Sequence, residues 1–323
     1  MACPTFFLTL IRDRMIESVA VFDSTQPLEP SSELPCLHWQ WRGFDVAYTV
    51  AGEGQPLFLI HGFGATYGHW RQNIPVLAAQ GYRVYALDLL GFGASEKPAL
   101  HYSLELWQAL IYDFWQDRIG QPMVVAGNSI GALIALMLLA NHPDMAIGGI
   151  VLNVAGGLNH RPEELNWPLR VLMGTFAKLV AHPLIGPILF NQVRQKNRIR
   201  ATLQQVYGNR DAVTEELVDM IYAPTCDRKA QKVFASILSA PPGPRISELL
   251  PHIRQPLLVL WGEADPWTPI QGSRVFQDWI ATTQPPAAIE IKAIPDTGHC
   301  PHDERPEQVN ALMTEWLQQF PWP

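Results

Sequence analysis

Residues 123–131 restrict the fold of this chain more than any other stretch. Met123-Val124-Val125-Ala126 is an apolar run that passes through Gly127-Asn128-Ser129-Ile130-Gly131 into a second apolar run over 130–140. A strand that becomes a helix through so short a turn holds its apex residue in strained geometry. Gly127 and Gly131 remove the side chains that would otherwise collide there. Ser129 is therefore expected to stand above a sheet, at a helix N-terminus whose free N–H groups point toward whatever reacts with it. The pattern alone also fits a purely structural turn, so its surroundings have to decide.

Upstream, Pro56-Leu57-Phe58-Leu59-Ile60 reads as a buried strand that runs into His61-Gly62-Phe63-Gly64. A glycine-rich turn in this place can supply one backbone N–H to a developing oxyanion, with the residue after the nucleophile supplying the other. Those donors are Phe63 and Ile130. His61 is read as a buried brace of the loop and not as a proton carrier.

Downstream, Pro256-Leu257-Leu258-Val259-Leu260-Trp261-Gly262 is a strand ending in Glu263-Ala264-Asp265-Pro266. Residues 288–294 form another, ending in Pro295-Asp296-Thr297-Gly298-His299. An acid and a histidine thus follow successive strands in the order Ser, Asp, His, the chain order of α/β-hydrolases. In this reading Ser129 is the nucleophile and His299 the general base. Asp265 holds the imidazole tautomer. Glu263, Asp296, Asp303 and His302 compete by position. Asp265 is preferred because Pro266 turns the chain immediately after it, Asp296 is read as a turn residue, and His302 is expected to make a surface or helix-capping contact.

Around these motifs the chain alternates strand and helix: a hairpin over 37–42 and 44–50, a helix over 70–79, a strand over 82–88, a helix over 103–119, then the Ser129 strand and a helix ended by Pro143. The expected fold is α/β, a doubly wound and mostly parallel sheet. Asp88 and Ser95 are read as structural. Between Gly156 and Arg254 the strand rhythm stops for longer than a structureless connection allows. The expected organisation is an irregular N-terminal arm over 1–36, a core over 37–156 and 254–323, and a helical cap over 157–253 that encloses substrate.

At 323 residues and 48% hydrophobic content the chain can bury one large core with an insert. A net charge of −7 argues against nucleic-acid binding, which calls for a basic face. Cys3, Cys36, Cys226 and Cys300 show neither zinc spacing nor a disulfide framework, so a reducing compartment is the simpler reading. Cys300 is read as a packing residue beside the base. No cofactor is required by this chemistry, and no metal-ligand cluster is visible. The run 6–11 is too short to span a membrane, and Glu17 and Asp23 depart from acid-poor transit peptides.

Two cap stretches, 167–180 and 183–190, are unusually apolar for a lid, and two readings stay open. One is ordinary packing on the core; the other is a lipid-touching surface with Arg170 and Lys178 near headgroups.

Beyond the general motifs, the chain resembles the pheophytinase and chlorophyll dephytylase family of α/β-hydrolases from about Leu37 to its C-terminal helix. The resemblance is carried by His38-Trp39-Gln40-Trp41-Arg42-Gly43, His61-Gly62-Phe63-Gly64 with His69-Trp70-Arg71-Gln72, and Val84-Tyr85-Ala86-Leu87-Asp88-Leu89-Leu90-Gly91-Phe92-Gly93. Its most specific parts are Phe234-Ala235-Ser236-Ile237-Leu238-Ser239-Ala240-Pro241 and Gly298-His299-Cys300-Pro301-His302-Asp303-Glu304. Ala132 departs from it, because a second glycine is expected after Gly131.

The resemblance implies hydrolysis of the phytyl ester of chlorophyll or pheophytin, releasing phytol. A chain of about twenty carbons carries on the order of 15 kcal/mol of transfer cost into water. An apolar cap is the expected answer, with Phe63, Trp70 and Trp267 as candidate substrate walls. The implied location is the cytoplasmic or stromal side, peripheral on photosynthetic membranes. Two other classes stay open: a meta-cleavage C–C hydrolase, although Cys300-Pro301 stands where an aromatic usually follows the base, and a non-catalytic receptor of the same fold. Epoxide hydrolases and haloalkane dehalogenases are disfavoured by a serine at position 129.

Overall fold

The computed structural model of the chain describes residues 34–283, 285, 288–320 and 322. The arm expected over 1–36 lies, as far as Glu33, outside them. Strands β1 (Leu37–Trp41) and β2 (Phe44–Ala51) form the expected hairpin, with Trp41 opposite Phe44. There follow β3 (Gln55–Ile60), α1 (Ile74–Ala79), β4 (Tyr82–Leu87), α2 (Leu104–Phe114), β5 (Met123–Asn128), α3 (Ile130–Asn141) and β6 (Ala146–Leu152). The chain then turns helical through α4 (Trp167–Ala181), α5 (Gly186–Val193), α6 (Lys196–Val206), α7 (Glu215–Tyr222), α8 (Ala230–Leu238) and α9 (Ile246–Leu249). It closes with β7 (Leu257–Gly262), α10 (Arg274–Thr283), β8 (Ile289–Ile294), α11 (Pro301–Glu304) and α12 (Pro306–Gln319).

The eight strands form one sheet in the order β1-β2-β4-β3-β5-β6-β7-β8, parallel from β4 onward, with β2 antiparallel to both its neighbours. Parallel strands need crossover helices, and these cover both faces. Every residue of β5 is buried accordingly. On one face Phe58, Trp107 and Phe114 join the side chains of α3; on the other Leu57, Trp70 and Ile74 meet Met313 and Leu317 of α12. Truncating such a buried aromatic to alanine typically costs about 3–5 kcal/mol.

The order in which strands are added to the sheet reverses at β3, with β4 on one side and β5 on the other, and ligands of open α/β sheets gather beyond the strand C-termini at such a point. The loops that carry His61, Ser129, Asp265 and His299 all leave from there.

Two helices differ from expectation. The span 70–79 is a 3-10 turn over Tyr67–Trp70, capped by the Thr66 hydroxyl, followed by α1, in whose first turn Pro75 sits. The span 103–119 starts as expected, with the Ser103 hydroxyl accepting from Leu106 N–H, but widens into a π turn over Trp115–Ile119. Gly120 ends that turn at φ 68° while the Trp115 indole N–H donates to the Gln121 carbonyl at 2.7 Å. Ala132, the departure from glycine, is fully buried in the core.

Candidate active site

Ser129 joins β5 to α3 with φ 58° and ψ −119°, a conformation that L-residues adopt only under constraint. The constraint is close packing. A Cβ at Gly127 would lie 2.3 Å from the Gly131 carbonyl carbon, and one at Gly131 would lie 2.4 Å from the Ile60 carbonyl oxygen. The turn can therefore press against β3 only with glycine at both positions. Ser129 N–H donates to the Leu152 carbonyl at 3.0 Å, tying the apex to β6.

Asp265 and His299 meet beside it. His299 Nδ1 lies 2.7 Å from Asp265 Oδ2, with both side chains buried. Asp265 is supported from several directions: the Asn153 amide donates to Oδ2 at 2.5 Å, the Thr268 hydroxyl also reaches Oδ2, and the N–H groups of Trp267 and Thr268 donate to Oδ1 at 2.7 and 3.0 Å. Burial pushes this carboxyl upward, but the hydrogen bonds from His299 and Thr268 outweigh it and hold it below its usual value. Because a carboxylate accepts at Nδ1, the ring is left with Nε2 as the free acceptor.

Ser129 and His299 line the same cavity of about 250 Å³. No hydrogen bond joins them among the described residues. Gly62 is also close: a Cβ there would lie 3.4 Å from Ser129 Cβ. Ile130 opens α3, so its N–H has no intrahelical carbonyl, and Phe63 follows Gly62 on the other side. The two proposed donors thus flank the serine from separate elements.

The remaining wall is apolar. Core loops give Phe63 and Phe92, while the insert gives Phe190, Leu203, Val233 and Phe234. Lys97 and Arg194 also line the cavity, and no carboxylate does so among the described residues. Trp267 lines it too, its ring 5.4 Å from that of His299.

Trp70 does not. It is fully buried beneath the cavity, its ring 4.0 Å from that of His302. In the same turn His69 lines the cavity whereas Trp70 packs in the core, which corrects its assignment as a substrate wall. His302 likewise makes no surface contact. It is fully buried, and neither ring nitrogen has a hydrogen-bond partner among the described residues.

The other competitors separate cleanly. Glu263 and Asp296 are exposed, Asp296 in a turn at φ 51°. Asp303 accepts from Arg71 Nη1 at 2.6 Å and from the Tyr207 hydroxyl at 2.8 Å. His61 braces its loop: Nδ1 lies 2.8 Å from the Gly62 carbonyl and Nε2 accepts from Leu89 N–H at 3.0 Å. Burial lowers its pKa to about 4. Asp88 accepts from the N–H groups of Tyr67 and Ala94, and Ser95 donates to the Asp88 carbonyl. Cys300 is buried at the cavity wall, where burial raises its thiol well above the usual range.

Several residues at the site escaped sequence reasoning. Asn128 donates to the His299 carbonyl, and Asn153 and Thr268 hold Asp265. The signal for Asn153 was its place at the end of the strand beside β7, a position exposed only once strand order is known.

An alcohol on a strained strand-to-helix turn, with a carboxylate-backed imidazole in the same cavity, defines the serine-centred class of α/β hydrolytic folds. Residues 57–312 match the alpha/beta hydrolase family, and the chain belongs to it. Among its relatives is the chloroplastic pheophytinase of Arabidopsis thaliana, 28% identical over 87% of this chain. The chain spans 66% of that protein's length. The 2-hydroxymuconate semialdehyde hydrolase of Pseudomonas sp. (strain CF600) is 27% identical over 83% of this chain and 88% of its own. Among solved structures, a membrane phospholipase A described as a bacterial virulence factor superposes with a TM-score of 0.67 at 25% identity, covering 88% of this chain and 86% of that one.

Proposed function

We propose that this hydrolase is a serine esterase that cleaves the phytyl ester of chlorophyll or pheophytin. Ser129 Oγ attacks the ester carbonyl while His299 Nε2 takes its proton, with Asp265 stabilising the imidazolium. The N–H groups of Phe63 and Ile130 receive the oxyanion. His299 then protonates the departing phytol oxygen, and water, deprotonated by the same imidazole, releases the pigment acid from Ser129. Serine–imidazole bonds of this kind are often long outside the Michaelis complex.

The observation that carries the substrate class is the apolar cavity over Ser129, one wall of which is α5. This helix presents Phe190 and Val193 to the cavity and Leu184, Ile185 and Ile188, at and just before its start, to the outside. A long isoprenoid alcohol fits such a wall, and similarity to pheophytinase supports the choice of pigment. Residues 157–253 serve as the cap in this reading, and their outer face is the surface through which the protein meets pigment-bearing membrane.

A second reading is favoured by one feature. Lys97 and Arg194 are cations in a wall without carboxylates, which suits the carboxylate of a ring-cleavage dienone acid. Incubation with detergent-solubilised chlorophyll a and pheophytin a, with phytol measured by mass, decides between them. Phytol release from either pigment is expected. No release from either, with rapid cleavage of a dienone acid, would transfer the assignment to the second reading.

A further inference from the structure

Glu304 holds three backbone amides at once. Its Oε1 accepts from Gly298 N–H at 2.9 Å and Asn209 N–H at 3.1 Å, and its Oε2 from Gly208 N–H at 2.9 Å. The side chain is buried, and no cation lies within 4 Å of the carboxylate among the described residues. A buried charge without a counter-ion is costly unless hydrogen bonds replace water, and three converging amides do so in part, burial still holding the carboxyl above its usual value.

Where the amides come from matters more than their number. Gly298 precedes His299. Gly208 and Asn209 belong to the helical insert, just past the end of α6. The same two segments touch twice more: His299 N–H donates to the Val206 carbonyl at 2.8 Å, and the Tyr207 hydroxyl donates to Asp303. Their approach is so close that a Cβ at Gly298 would lie 2.0 Å from the Val206 carbonyl oxygen. The loop of the base thus leans on the insert as well as on the core.

We propose that Glu304 is a positioning residue for His299, locking the loop 298–300 to the insert segment 206–209 so that this part of the insert forms the mounting of the base. The proposal rests on the Ser129–His299 reading above. It divides the insert by role. The segment after α6 fixes the imidazole, whereas α4 and α5 make none of the hydrogen bonds that hold the loop 298–300. Glutamate suits the task because both its oxygens accept, while a glutamine would set an N–H against an N–H at one of its two ends.

The test needs no natural substrate. Ser129 is labelled with a fluorophosphonate in wild type, Glu304→Gln and Glu304→Asp, and the labelling rate is followed against reagent concentration and pH, with thermal unfolding alongside. The maximal labelling rate of Glu304→Gln is expected to fall at least tenfold, with little change in the half-saturating concentration and with a displaced pH midpoint. Glu304→Asp, which keeps the charge but is one methylene short, is expected to fall between the two. A folded Glu304→Gln that labels at the wild-type rate with the wild-type pH midpoint would overturn the positioning role alone. Wild type that does not label would instead bring down the serine–histidine reading, and the proposal with it.

Discussion

The Asn128 side-chain amide donates to the His299 carbonyl at 2.9 Å, so the residue that precedes the strained serine also holds the loop of the histidine. Two loops far apart in sequence are thereby fixed to each other from a strand that is buried along its whole length. Replacing Asn128 by alanine removes the donor and leaves a buried carbonyl unpaired, a loss of about 1–3 kcal/mol. Misplacement of the imidazole follows. Turnover of a short-chain nitrophenyl ester by Asn128→Ala is expected to fall about tenfold or more, with a lowered melting temperature. Wild-type turnover from the folded variant would show that the bond is incidental.

Asp265 and Glu263 lie two residues apart and have opposite surroundings. Asp265 is buried against His299, Asn153 and Thr268, whereas Glu263 faces solvent. Asp265→Asn keeps the shape but no longer enforces the tautomer with Nδ1–H, a change worth about 10⁴ in kcat for a serine–histidine pair of this type. Glu263→Gln is expected to leave ester turnover within about twofold of wild type. The reverse pattern in steady-state kinetics would move the acid to Glu263.

His302 makes stability depend on pH. Burial first, and then the neighbouring His69, lower its pKa well below 6.5 in the folded protein, while the unfolded chain returns it to the ordinary value. Below about pH 6.5 the unfolded state binds a proton that the folded state refuses, so stability falls as pH falls, by up to about 1.4 kcal/mol per unit for one such group. His302→Phe keeps a ring against Trp70 and removes the titration. Between pH 7.5 and 5 its melting temperature is expected to drop less than that of wild type. Parallel curves would mean that His302 contributes nothing to acid sensitivity.

What could be read before folding was whatever depended on neighbours in the chain. The glycines around Ser129 announce their turn because each clears a clash within a few residues or against the adjoining strand. The acids and histidines that follow strands could be ordered because strand ends are locally marked. Tyr207, Asp303 and Glu304 could not be joined in this way, since about ninety-six residues separate the insert from the loop it supports. Trp70 was misplaced for a smaller reason. His69 and Trp70 are neighbours in the 3-10 turn Tyr67–Trp70, yet His69 lines the cavity while Trp70 packs in the core. Aromatic character alone could not distinguish a wall from a core.

The outer face of the insert gives the last prediction. Leu172 on α4, Leu184 in the bend and Ile188 on α5 are 65%, 76% and 63% exposed, with Trp167, Val171 and Phe176 also exposed on α4. The segments Arg170–Ala181 and Gly186–Val193 meet at a bend of 107°, and no single helix among the described residues is long and apolar enough to cross a membrane. A bent apolar pair of this length suits shallow burial in the headgroup region, with Arg170 and Lys178 beside anionic lipid. The cavity lies on the other side of α5, so in the proposed reading a bound surface would hand the ester of a long apolar alcohol to Ser129 without passing its chain through water. Vesicles containing phosphatidylglycerol are therefore expected to float the wild type, and a Leu172→Ser, Phe176→Ser variant is expected to stay largely at the bottom of the gradient. Ester turnover in detergent should be retained by that variant, because neither residue lines the cavity. Equal recovery of the two proteins with the vesicles would leave the exposed face as ordinary cap surface.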